Sequence, residues 1–126
     1  MQRRSSSGLR RKLLRKARKN IANRDELFRK YIEKLITKYP RSSIVLIGSR
    51  AKNYASPYSD YDLVIILNRV HNTFRIVEVI RKYKPRGFNL DLIVLEKSEL
   101  TDPVVKVMLK DRIVLYDGLG IFKCLE

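Results

Sequence analysis

The sequence predicts an α/β domain, a mixed β-sheet covered by helices, and three observations lead there. Apolar runs of strand length, Ile44–Ile47, Leu63–Leu67 and Leu92–Leu95, alternate with stretches whose apolar residues recur at helical spacing. Turn and cap residues separate them: Pro40, Gly48-Ser49, Asn72, Pro85 to Gly87 and Asp102-Pro103. With 126 residues, 44% of them hydrophobic, the chain can bury one modest core and so forms one domain.

Residues 1–24 read as a basic arm, Ser- and Arg-rich at first and helical from about residue 9. Leu9, Leu13, Ala17 and Ile21 recur every four residues, a narrow apolar stripe on a cationic helix. Ten basic residues and no acid occur up to Arg24, two thirds of a net charge of +15. Three readings of this arm stand side by side. Arg10, Arg11, Lys12, Arg15, Lys16, Arg18 and Lys19 could dock on RNA or DNA backbone. The stripe could instead pack on the domain, on a partner or on a second copy in an oligomer. An Arg-rich, acid-free opening also fits a targeting peptide.

The domain proper is taken as 25–126. Asn23 is expected to cap a second helix, with Glu26 three residues on completing a capping box, and Pro40 to stop it. Leu27/Phe28, Tyr31/Ile32 and Leu35/Ile36 make a broad stripe fit to cover a sheet. After the first strand, Gly48-Ser49 turns into a short helix through Arg50, Ala51 and Lys52. A second strand follows Asp60. Asn72 caps a helix to about Lys84 with Phe74, Val77, Ile80 and Tyr83 inward, and His71 before it is a loop residue. Asp102-Pro103 starts a helix with Val104, Val107 and Met108 inward. Ile113 to Tyr116 is a last strand, after which the tail is uninformative. The expected order is αα-βα-β-α-β-α-β.

The chemistry lies in three carboxylates. Asp60 and Asp62 share a strand face with Val64 and Ile66, because side chains alternate along a strand. Asp91 shares a face with Ile93 and Leu95, and neighbouring strands would set it beside Asp62. A single Asp at a strand entrance is most often a turn residue; three of them after a Gly-Ser turn are not so easily explained. Carboxylates this close repel, at least one is expected to have a raised pKa, and oxygen ligands suit a divalent cation, Mg²⁺ before others. Backbone N–H groups at the Gly48-Ser49 turn would make an anion site.

Gly48-Ser49-Arg50-Ala51, ten residues from Ser49 to Asp60, then Ser59-Asp60-Tyr61-Asp62-Leu63 and a later Asp91 resemble the signature of the nucleotidyltransferase superfamily related to DNA polymerase beta. The wording is similar to the minimal nucleotidyltransferases of that superfamily, except for Asn53 where many relatives have Gly. The resemblance covers about residues 44–116 and implies a nucleotidyltransferase-like fold. It implies transfer of a nucleoside monophosphate, AMP from ATP or another NTP, to an acceptor hydroxyl. Asp60, Asp62 and Asp91 would then hold Mg²⁺ or Mn²⁺ and do the catalysis. Gly48, Ser49, Arg50, Lys52 and Ser59 would bind the nucleotide. The implied acceptor is a tyrosine on a HEPN-type helical protein, in an antitoxin–toxin pair. The competing reading is a nucleic-acid-binding module with an idle site and a working basic arm. A third is transfer to a small molecule or an RNA end.

Composition excludes an integral membrane protein of the helical kind, since no apolar run approaches the ~20 residues of a span. A lone cysteine, Cys124, rules out an intrachain disulfide and is in keeping with a cytoplasmic location.

Overall fold

The structure, a computed structural model, describes residues 2–48, 51 and 60–122, with side chains from Gly8 onward. Its elements are α1 (Gln2–Lys38), β1 (Ser42–Ile47), β2 (Tyr61–Leu67), α2 (Thr73–Lys82), β3 (Leu90–Glu96), a 3₁₀ turn (Lys97–Thr101), α3 (Pro103–Met108) and β4 (Ile113–Asp117). The strands form one mixed sheet in the order β3-β2-β1-β4. β1 runs antiparallel to β2 and β4, and β2 runs parallel to β3, with α2 as the crossover between them.

The two faces of the sheet bury separate cores. Ile44, Leu46, Leu63, Ile65, Leu67, Leu90, Leu92 and Val94 meet Phe28, Tyr31, Ile32 and Leu35 of α1 and Ile80 of α2. Tyr31 donates its hydroxyl to the Ile80 carbonyl at 2.8 Å, which joins the two helices and satisfies a polar group inside the core. Val45, Ile47, Val64, Ile66 and Leu95 face the other way, against Val105 and Leu109 of the α3 region and Ile121 and Phe122. Val64, Ile66 and Leu95 thus share one face with Asp62 and Asp91, as alternation along the strands predicts.

Four expectations are corrected. The two N-terminal helices are one, because α1 runs unbroken through Asn23 and crosses the expected boundary at residue 24. Glu26 does not reach back to cap; it pairs with Arg29 at 2.6 Å, and Arg29 also bonds Glu33 at 2.9 Å. With helix formers on both sides of Asn23, continuing costs less than stopping. Phe74 is 88% exposed, since it lies about 120° round α2 from the buried Ile80. In α3 Met108 packs against the second core as expected, but the buried residue is Val105, followed by Leu109 one turn on, while Val104 and Val107 are each 74% exposed. Finally the tail is structural: Ile121 and Phe122 fold back and are held by Asp117.

Other signals hold. Asn72 accepts the Arg75 N–H at 3.2 Å and Asp102 the Val104 N–H at 2.8 Å, each capping its helix. His71 is an exposed loop residue. Among the described residues no helix is long and apolar enough to cross a membrane.

Candidate active site

β2 enters the sheet at Tyr61, whose N–H bonds the Asn89 carbonyl at 3.0 Å. That bond ties the start of β2 to the start of β3 and sets their register: Asp62 pairs with Asp91, Leu63 with Leu92 and Val64 with Ile93. Both acids therefore stand at one end of the sheet, on the face opposite α1 and α2. Asp60 is one residue outside β2 and exposed, Asp91 is exposed, and Asp62 is half-buried. Sequence reasoning missed Asn89 as the tie between the two strands; its place two residues before Asp91 was the available signal.

Tyr61 is pointed away from the acids. Its ring stacks on Phe28 at 3.9 Å with Phe88 edge-on at 5.5 Å, and its hydroxyl donates to Asp25 at 2.5 Å. This residue packs under α1, so the polar side chain that β2 presents beside Asp91 is Asp62.

Gly48 closes the other side. Ile47 pairs with Asp62, so the turn after β1 begins beside the carboxylate. Gly48 has φ +76°, and a Cβ built on it would overlap Asp62 Oδ2 and come within 3.0 Å of Cγ. Only glycine combines that left-handed backbone with that approach. Ser49, Arg50, Lys52 and Ser59, expected to bind nucleotide, and the expected helix after Gly48 lie outside the described residues.

The electrostatics follow from the crowding. Burial pushes the Asp62 carboxyl up from the usual carboxylate value; a hydrogen bond shared with Asp91 and the charges of Asp91 and Asp60 push it the same way. A cation would relieve all three effects, and the all-oxygen donor set suits Mg²⁺ or Mn²⁺. Among the described residues no three acid, His or Cys side chains already close around one point. The register fixes Asp62 and Asp91 as a pair, with Asp60 the adjacent third.

Residues 28–116 match the family model described as "Nucleotidyltransferase domain". Among solved structures, the chain is similar to a "putative nucleotidyltransferase" from Sulfolobus solfataricus, with a TM-score of 0.60 and 23% identity. The match covers 80% of this chain and 86% of that one. No curated protein matches the chain.

Proposed function

From the premise that the chain belongs to the nucleotidyltransferase domain family, we propose that it transfers AMP from ATP to an acceptor hydroxyl. The acceptor oxygen bonds to the α-phosphorus, the bond to the bridging oxygen of the β-phosphate breaks, and pyrophosphate leaves. The observation that carries this reading is the Asp62–Asp91 pairing with Gly48 against it. Asp60, Asp62 and Asp91 would hold Mg²⁺ or Mn²⁺, which supplies charge neutralisation at the triphosphate and acidifies the acceptor hydroxyl. Asp91, the more exposed of the paired acids, would either share that ion or accept the acceptor proton. Backbone N–H groups at the Gly48 turn, the hydroxyls of Ser49 and Ser59 and the charges of Arg50 and Lys52 would bind the β- and γ-phosphates.

For the acceptor, the resemblance supports a tyrosine on a HEPN-type helical protein, in the manner of an antitoxin. The test is incubation with ATP labelled at the α-phosphate, Mg²⁺ and a co-expressed helical neighbour. Label is expected on the neighbour and is expected to vanish in Asp62→Asn; label that survives this substitution would remove the assignment.

A second reading, binding of nucleic acid, is favoured by one feature. Arg10, Arg11, Lys12, Arg15, Lys16, Arg18 and Lys19 are all exposed on the N-terminal half of α1. Binding that falls steeply with salt is its expected signature.

A further inference from the structure

Between α1 and the loop that joins α2 to β3 lies a cleft of about 850 Å³. Asn20, Asn23 and Arg24 line one wall; Lys84, Arg86 and Asn89 line the other. No acid is among its lining residues. The walls are held close by Gly87, at φ +121°, where a Cβ would come within 2.7 Å of Leu27 Cδ1 on α1. Lys84 is fixed at the rim, its ammonium 4.6 Å from the centre of the Phe88 ring and donating to the Pro85 carbonyl at 3.0 Å.

We infer that this cleft is a docking groove for single-stranded nucleic acid. The inference rests on the second reading above, not on the transfer chemistry, and it names a site and a strandedness for that reading. Cations on both walls suit a chain of phosphates, one negative charge per nucleotide. The three amides each offer a donor and an acceptor, the combination that base edges require. Base edges are open in a single strand and largely hidden in a duplex of the A form.

The groove also has a way in and a way out. Lys12, Lys16 and Lys19 are exposed and lie on the face of α1 that carries Asn20 and Asn23, by three- and four-residue spacing. They form a cationic track of about 10 Å leading to the cleft. At the other end, Asn89 is two residues from Asp91, about 7 Å along the strand. The cleft thus ends at the same end of the sheet as the carboxylates, which stand on its other face. An acidic protein segment would match the cations but would leave the amides without base edges to read.

The test is fluorescence anisotropy with a labelled single-stranded RNA of about twelve nucleotides at about 0.1 M salt, on the full chain. Arg86→Glu is exposed and outside the carboxylate site, and is expected to weaken binding about tenfold and to lower the salt slope by about one. Lys106→Glu, an equal charge change on α3 across the sheet, is expected to stay within about twofold. Unlabelled single strand should displace the probe, while a duplex of the same sequence or polyglutamate should do so poorly. Wild-type binding untouched by Arg86→Glu, or lost equally in Lys106→Glu, would overturn the groove while leaving nucleic-acid binding in place. So would equally good competition by duplex or by polyglutamate, the second pointing to an acidic protein. A wild-type chain that binds no strand at all would overturn both.

Discussion

Asp62 and Asp91 stand opposite one another on adjacent parallel strands, and Asp62 is held half-buried with Gly48 pressed against its carboxylate. The arrangement stores repulsion that the fold itself does not relieve. An acid whose pKa is raised on folding binds its proton more tightly in the fold than in the unfolded chain. Stability therefore falls as pH rises from the ordinary value of 3.8 through the raised one. Asp62→Asn removes the charge and can still donate to Asp91. Without added metal it is expected to melt a few degrees above wild type at neutral pH, the gap narrowing as the buffer is made acid. Mg²⁺ or Mn²⁺ should raise the melting temperature of wild type and leave that of Asp62→Asn unmoved. Calorimetry with and without chelator checks both statements.

Gly48→Ala should fail for two reasons that add. A non-glycine residue pays about 1–2 kcal/mol for the left-handed backbone. Its Cβ would also displace the Asp62 carboxylate. The expected result is an unfolding free energy, read from a urea titration, lowered by at least that amount, with transfer activity lost more completely than stability. Activity retained at wild-type level would mean that the position of the Asp62 carboxylate does not matter to the reaction.

Asp117 is the acid that the fold does stabilise. It accepts the hydroxyl of the fully buried Ser43 at 2.7 Å and the N–H groups of Ile121 and Phe122, each at 3.1 Å. Burial works against its ionisation, but the Ser43 hydroxyl and the N–H groups of Phe122, Ile121 and Gly120 outweigh it and hold its pKa below the usual value. The resulting stability is present above pH 3.8 and is lost as pH falls through the depressed value. Asp117→Ala should cost about 1–3 kcal/mol at neutral pH, from the Ser43 hydroxyl left without its acceptor and the loosened Ile121-Phe122 segment. The difference from wild type should shrink only below about pH 4. Denaturant titrations at several pH values read this directly.

That Asp117 network also marks where the sequence was silent. The strands and the shared location of Asp62 and Asp91 could be read because alternation with period two is strict, so a residue's parity along the strand fixes its face. The return of Ile121 and Phe122 to the second core depends on Ser43, 74 residues from Asp117 in the chain, and no local pattern announces so distant a partner. α3 was misread for a related reason. Six residues of helix carry four apolar side chains, so the pattern could not choose among faces, and packing against Val64 and Ile66 chose Val105. Phe74 was assigned inward on hydrophobicity alone, where the angular position of Ile80 fixed the face of α2.

The continuity of α1 through Asn23 reverses the sign expected for a substitution there. If Asn23 began a helix, replacing it by Ala would remove a cap and cost about 1 kcal/mol. In the continuous α1 it sits at a mid-helix position, exposed, with Glu26 engaged by Arg29 instead. Asparagine is a poor helix former and alanine the best one, so Asn23→Ala is expected to stabilise the chain by about 0.5 kcal/mol. The opposite sign separates the two geometries cleanly, and a urea titration monitored by far-ultraviolet circular dichroism measures it. Because Asn23 also lines the groove, the same variant should bind single-stranded RNA more weakly while folding more stably. Loss of stability in Asn23→Ala would mean that α1 is interrupted near residue 23, and the cationic track from Lys12 into the cleft would then lose its rigid support.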